Sequence, residues 1–347
     1  MQGIVFLSME FLSVSDEAVL RAAQVIKKGG IVAFPTETVY GLGANAYDSA
    51  AVAKVFEAKR RPFFDPLIIH IAAFDTLNEA ADLSLLTEET RLKLSLLIKN
   101  FMPGPLSIVL PKSEKIPGIV TAGLPTAAFR FPANETAQKL ISLSSGAVAA
   151  PSANLFGALS PTRAEHVRDS LSEKIDIILD GGQSQIGLES TVLDLTGSGV
   201  KILRHGGAPK EAIENIIGSV QDLTITESDT AESLSSPGQL KSHYAPKTPF
   251  SVFKLEDIIR KPFEEGCAWL FFDGISHNAW KSAQTQQSRE GAVKILSPCG
   301  NLAEAASCLF EILHELDNSG FAKIYAQFAP QSGLGAAIND RLKRASV

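Results

Sequence analysis

Residues 29–71, GGIVAFPTETVYGLGANAYDSAAVAKVFEAKRRPFFDPLIIHI, constrain the chain more than any other stretch. An apolar run, IVAF, stops at Pro35 and passes through the small polar loop PTET into YGLGA, where Gly41 and Gly43 leave the backbone unobstructed. Asp48 or Ser49 is placed to cap a helix that runs through Lys59. That helix delivers Lys59, Arg60 and Arg61 just before Pro62, a residue that favours chain exit. A second apolar run, PLIIHI, follows and carries a histidine. Hydroxyls, glycines, three consecutive cations and a histidine thus gather within one supersecondary unit. That density of polar groups beside buried strands points to a ligand site rather than to a purely structural module.

The length of 347 residues favours two domains, and 45% apolar with 20% charged residues describes a soluble globular chain. The net charge of −6 argues against a general nucleic-acid-binding surface but leaves room for a local basic pocket. Cys267, Cys299 and Cys308 lack metal-ligand spacing, and their odd number fits a reducing compartment. No run approaches the roughly 18 apolar residues of a membrane span, and the N-terminus lacks the features of a signal peptide. A cytoplasmic protein without membrane association is expected.

The pattern along the chain alternates strands and helices. Residues 1–217 form one expected unit. Within it Ser15 caps a helix closed by Gly29, Thr87 opens another that ends before Pro103, and Thr162 with Glu165 makes a capping box for TRAEHVRDSL. Residues 218–249 are rich in Ser, Thr, Asp and Glu and end in prolines, so they read as a linker, although HYAP is out of keeping with a plain spacer. Residues 250–347 return to strand, helix and strand, the pattern of a small α/β unit with a parallel sheet.

Four features carry candidate chemistry. Lys59 and Arg61 either complement a helix dipole or, at a sheet edge, suit a triphosphate. PSANLFGALSPT supplies Ser152, Asn154, Ser160 and Thr162, which serve as loop formers or as partners for phosphate and ribose oxygens. Arg130 in AAFRFP is costly to bury alone and needs either an internal carboxylate or that of a small substrate. His70 in LIIHIA is either a satisfied core histidine or a site residue. There is no Walker A motif, strand–GxGxxG–helix fingerprint, zinc spacing or nucleophile elbow. A bound nucleotide would therefore occupy a site of another design.

Taken in order and spacing, PTETVYGLG, AKRRP, PLIIHI, MPGPLS, TAGLPTAAFR, APSAN with SPT, GLESTV, ILRHG, HYAP and GLGAAINDRLKRAS resemble the threonylcarbamoyl-AMP synthase family in its longer, two-domain form. The resemblance spans essentially the whole chain. It implies a twisted, mixed-sheet YrdC-like domain around a basic cavity, followed by a smaller Rossmann-like α/β domain. It also implies synthesis of threonylcarbamoyl-AMP and pyrophosphate from L-threonine, bicarbonate or CO2, and ATP with Mg2+. A downstream transferase complex would then modify tRNA beside the anticodon, with direct tRNA binding left open.

By the same resemblance Lys59, Arg61, Ser152 and Asn154 form the central nucleotide-binding and catalytic group. Thr36, His70, Arg130 and Ser190, with Ser152, hold threonine. Phe63, Thr121, Ser160, Arg204 and Tyr244 complete the ATP site, with no protein-held metal, and the Tyr244-bearing linker is expected to act as a lid. Asp65 stands where asparagine is common in such proteins, and His205 where proline is common. The rival expectations are an RNA-binding or nucleotide-sensing module without catalysis, and a related carbamoyl-adenylate-forming enzyme serving another acceptor.

Overall fold

The computed structural model describes residues 9–223, 244–284 and 292–346. Eleven strands build the first sheet: β1 (Glu10–Ser13), β2 (Val32–Phe34), β3 (Gly41–Asn45), β4 (Ile68–Ile71), β5 (Leu106–Pro111), β6 (Thr126–Arg130), β7 (Ala147–Ala149), β8 (Ile177–Asp180), β9 (Thr191–Asp194), β10 (Lys201–Arg204) and β11 (Gln221–Asp222). Their spatial order is β1-β8-β2-β3-β7-β4-β6-β5-β9-β10-β11, with parallel and antiparallel neighbours mixed. Seven helices accompany them: α1 (Asp16–Lys27), α2 (Ser49–Lys59), α3 (Phe74–Ala80), α4 (Glu88–Phe101), α5 (Glu135–Leu143), α6 (Ala164–Leu171) and α7 (Lys210–Ile217).

Side chains alternate across the sheet with period two. Val32 and Phe34 pack with α1 and α5, whereas Ala33 joins the larger core on the opposite face, shared with α2 and α4. Several sequence-level helix signals hold. Ser15, Asp48 and Thr87 each accept a backbone N–H at the first turn of their helices, and Gly29 leaves α1 at φ 78°. The capping box does not form. The Thr162 hydroxyl is buried without a hydrogen-bond partner, and its N–H meets His166 Nδ1 at 3.3 Å instead. The histidine one turn later takes the Thr162 N–H that the Glu165 carboxylate was expected to accept.

The second unit has strands β12 (Phe250–Phe253), β13 (Cys267–Phe271), β14 (Val293–Ile295) and β15 (Lys323–Gln327), all parallel in the order β12-β15-β13-β14. Helices α8 (Leu255–Arg260), α9 (Gly274–Ser282), α10 (Leu302–Asp317) and α11 (Leu334–Ala345) complete it. Most of the linker, 224–243, lies outside the described residues. Residues 218–223 of the expected linker instead belong to the first unit, where β11 pairs with β10, and the description resumes at Tyr244, which is buried at φ 65°. One apolar cluster runs through the contact between the units: Val39, Leu159, Leu188 and Tyr244 pack with Leu270, Leu309, Phe310 and Ile338. The Arg163 Nε–Glu311 pair at 2.8 Å and the His314 Nε2–Ser160 carbonyl contact at 3.1 Å flank it. The second unit therefore covers the first rather than hanging from it.

Gly206 illustrates how closely the site's backbone is packed. A Cβ there would sit 2.3 Å from the Glu189 carbonyl oxygen and from Ser190 C, and 2.4 Å from Thr191 N. No side-chain adjustment relieves a clash with backbone. Gly206→Ala is expected to lower the stability from denaturant unfolding by about 1–3 kcal/mol; an unchanged midpoint would refute this account of the turn.

Candidate active site

The site is built on one row of side chains across five adjacent strands. His70 on β4 is the register partner of Arg130 on β6, Arg130 of Ser107 on β5, Ser107 of Val192 on β9, and Val192 of Arg204 on β10. Directly paired residues share a sheet face. Plain alternation on β10 would send Arg204 to the same side as Ile202, into the opposite core. A register shift between Ile202 and Arg204 instead pairs Arg204 with Val192 and turns it to the row's face, the usual effect of a bulge. Ser190, two residues before Val192, joins that face and shares a 2.8 Å hydroxyl contact with Ser107.

From this row His70, Arg130, Ser190 and Arg204, with Thr36, Thr38, Arg61, Ser152, Glu189 and Tyr244, line a narrow cavity of about 50 Å³. Each charge in it has a buried partner. Arg130 Nη2 donates to Glu37 Oε1 at 2.6 Å and Nε to the Gly104 carbonyl at 3.3 Å. Arg61 Nη2 lies 2.8 Å from Asp65 Oδ1 and donates to the Pro66 carbonyl at 2.9 Å. Arg204 donates through Nε and Nη2 to the Ser190 carbonyl, and through Nη2 to the Ser190 hydroxyl at 3.1 Å. Glu189 accepts the Ser160 hydroxyl on one oxygen and Arg341 Nε on the other.

The electrostatics follow from burial. Burial, reinforced by Arg130, pushes the His70 imidazole down to about 3, so the ring is neutral. With Nδ1 assigned as donor to the Ile68 carbonyl at 3.3 Å, Nε2 is left as an acceptor. Burial pushes the Glu189 carboxyl up, but Arg341 and Arg204, with the hydrogen bonds from Ser160 and Arg341, outweigh it and bring it to about 2. Burial likewise opposes ionisation of Glu37, and Arg130 prevails. For Asp65 burial prevails over Arg61 and raises the carboxyl. The Arg61–Asp65 contact has ion-pair distance, but neither Asp65 oxygen finds a hydrogen-bond partner of good geometry among the described residues.

A family described as "Telomere recombination" matches residues 24–206, and one described as "Threonylcarbamoyl-AMP synthase, C-terminal domain" matches residues 208–347. A Pyrococcus abyssi protein named threonylcarbamoyl-AMP synthase is 42% identical over 326 residues, covering 94% of this chain and 93% of its own. This chain belongs to the threonylcarbamoyl-AMP synthase family. A Bacillus subtilis protein of the same name is 38% identical over 346 residues, covering 96% and 94%. The crystal structure of Pyrococcus abyssi Sua5 complexed with L-threonine superposes with a TM-score of 0.83 at 40% identity, over 97% of each chain.

Of the residues expected from the resemblance, Thr36, Arg61, His70, Arg130, Ser152, Ser190, Arg204 and Tyr244 converge on the cavity. The others, Lys59, Phe63, Thr121, Asn154 and Ser160, are not among its lining residues. Lys59 Nζ donates to the Ser152 and Asn154 carbonyls, both at 2.5 Å, so its ammonium pins the loop after β7. Burial, then Arg61, pushes that ammonium well below its ordinary range. Asn154 Nδ2 closes the same loop onto the Leu155 and Ala158 carbonyls, and Ser160 holds Glu189. The Thr121 hydroxyl donates to the Leu124 carbonyl within its own turn, while Phe63 is exposed and lies against Phe56. The Thr36 hydroxyl donates to the Val39 carbonyl and so folds the PTET loop.

Four participants escaped the sequence reading: Glu37, Ser107, Glu189 and Arg341. A lone serine in the apolar run LSIVLP is the same kind of signal as the histidine in LIIHI. Glu37 and Glu189 sit inside quoted motifs and answer the requirement that buried arginines be paired. Nothing local marks Arg341.

Glu189 also predicts acid sensitivity. Its folded value of about 2 lies below the ordinary 4.5, so its contribution to stability is fully present above about pH 4.5 and is lost as pH falls toward 2. The shift corresponds to on the order of 3 kcal/mol. Unfolding by urea at about pH 7 and about pH 4 should show a smaller pH effect in Glu189→Gln than in the wild type. Equal pH effects in the two proteins would overturn the assignment.

Proposed function

We propose that this chain is a nucleotidyltransferase that makes threonylcarbamoyl-AMP and pyrophosphate from L-threonine, bicarbonate or dissolved CO2, and ATP. Its product would serve a separate transferase complex that modifies tRNA. The observation that carries the reading is the convergence of Arg130, His70 and Ser190 with Arg61, Arg204 and Tyr244 in one cavity. The cavity belongs to a chain closely similar along its whole length to synthases of that name. The cations Lys59, Arg61, Arg130, Arg204 and Arg341 outnumber the carboxylates Glu37, Asp65 and Glu189 around them, which supports a basic cavity.

The division of labour follows from the hydrogen bonds already formed. Arg130 directs Nη2 and Nε to protein, and its Nη1 has no partner among the described residues, so Nη1 is available to the threonine carboxylate. The acceptor Nε2 of neutral His70 suits a hydroxyl or amine N–H of the amino acid. The uncharged threonine amine takes up the one-carbon unit as a carbamate, with loss of water when bicarbonate supplies it. A carbamate oxygen attacks the α-phosphorus and the bond to pyrophosphate breaks. Arg61 and Arg204 stabilise the charge that develops on the phosphates, and Lys59 acts through the loop that carries Ser152 and Asn154.

Magnesium enters this reading as part of the MgATP substrate. No group of three or more metal-ligating side chains exists among the described residues, and the cavity's carboxylates are already occupied by arginines. A cavity of about 50 Å³ is far below the roughly 300–1,000 Å³ of typical ligand sites, so substrates enter by widening it. Tyr244 lines the cavity, and the backbone after it docks through the Ala245 N–H to the Gly157 carbonyl at 2.9 Å.

Pyrophosphate release from MgATP is expected to require both L-threonine and bicarbonate, and to fall at least about 100-fold in Arg61→Ala. Release without either co-substrate, or none under any combination, would overturn the reading and favour a binding or nucleotide-sensing role. Asp65→Asn is expected to release Arg61 from its carboxylate and tighten ATP binding by roughly fivefold or more in calorimetry. Weaker binding would show that Asp65 orients Arg61 rather than competing for it.

A further inference from the structure

Arg341 belongs to α11 of the C-terminal unit, yet its guanidinium is fully buried at the edge of the cavity. Its Nε donates to Glu189 Oε2 at 2.8 Å, Nη1 to Asp340 Oδ2 at 2.6 Å and Nη2 to the His205 carbonyl at 3.0 Å. The guanidinium carbon lies 4.8 Å from the centroid of the Tyr244 ring. Three of these four partners lie outside the C-terminal unit. The far oxygen of Glu189 takes the Ser160 hydroxyl, and the adjacent Ser190 receives Arg204. A planar, five-donor fork reaches all of these directions at once, which a lysine cannot do. One side chain of the second unit therefore joins the entry of β9, the loop after β7, the end of β10 and the tyrosine of the connecting segment.

We propose that Arg341 is a positioning residue for the adenylation step: it fixes the Glu189 carboxylate and the Tyr244 ring, and through them the aim of Ser160, Ser190 and Arg204 into the cavity. This inference rests on the reading of the cavity as the ATP and threonine site. It gives the C-terminal unit a part in the reaction beyond covering the cavity, because the contact ends on cavity-lining groups rather than on the exposed rim. Glu189 is faced by Arg341 from α11, Arg204 from β10, the Ser160 hydroxyl and the Tyr244 phenol, while Asp340 meets the far side of Arg341. Without Arg341, only Arg204 and the Ser160 hydrogen bond oppose burial at the Glu189 carboxyl, and it takes up a proton at a higher pH.

The test is pyrophosphate release by the full chain between about pH 5 and pH 9, comparing wild type, Arg341→Gln, Arg341→Lys, Glu189→Gln and the Arg341→Gln/Glu189→Gln pair. Arg341→Gln is expected to lower kcat/KM for ATP on the order of tenfold, to move the KM for threonine less than that for ATP, and to shift the acid limb of the profile to higher pH. The pair should show no such shift and lose no more than the worse single variant. An unmoved acid limb in Arg341→Gln, or losses that multiply in the pair, would overturn the proposal. If Arg341→Gln does not stay folded, Arg341→Lys decides: a rise confined to the KM for ATP supports the positioning role, and equal changes for both substrates, or none, overturn it. A wild-type chain that releases no pyrophosphate fails the functional reading itself, before any variant is compared, and takes this inference with it.

Discussion

Five cations are buried around one small cavity, and the rest of the molecule is arranged to make that tolerable. An isolated charge removed from water costs several kcal/mol, so each needs a partner at short range. Arg130 has Glu37, Arg61 has Asp65, Arg341 has Glu189, and Lys59 and Arg204 are met by carbonyl and hydroxyl oxygens. Asp65 lies only four residues from Arg61, but the partners of Arg130 and Arg341 come from distant parts of the sequence. Glu37 lies 93 residues from Arg130, and Glu189 lies 152 residues from Arg341. The pairs therefore act as long-range constraints on topology as well as electrostatic compensation.

The same pairs set the terms on which an anionic ligand binds. A phosphate or carboxylate entering the cavity meets guanidinium groups that are already oriented and partly neutralised. Its gain is the difference between its own contacts and those of the internal carboxylate, not the whole Coulomb attraction. Asp65 is the pair most open to exchange. Its carboxyl is raised by burial, and its contact with Arg61 lacks hydrogen-bond geometry. Glu37 and Glu189 are held below their ordinary range by the arginines they meet and behave as fixed elements.

How much of this was legible in the sequence depended on whether the signal was local. Helix starts at Ser15, Asp48 and Thr87 could be read because a cap is a contact over three residues. The capping box at Thr162 could not be judged that way, since the competing acceptor, His166, is set in place by stacking on His314 of the second unit. Motif matching named eight residues that line the cavity, but could not say what Lys59 touches, because a cation at a helix end says nothing about which oxygens the loop opposite will present. The turn of Arg204 into the row was invisible for a related reason. It needs a bulge, and strand alternation alone assigns that residue to the other face.

The two units are usefully considered as one site with two suppliers. The first sheet delivers His70, Arg130, Ser107 and Arg204 by register, which is rigid because a one-residue slip would turn every side chain to the other face. The edge of the cavity is not built that way. It relies on Tyr244, whose backbone sits at positive φ, and on Arg341, reached across the contact between the units. Strand register holds without help from the second unit, whereas the Tyr244–Arg341–Glu189 arrangement exists only while the units are docked. A change in docking would thus leave the His70–Arg130 end of the cavity largely intact and alter the end where Glu189 and Tyr244 meet. Such a division lets one part of a site stay preorganised while the other opens to admit and release a larger ligand.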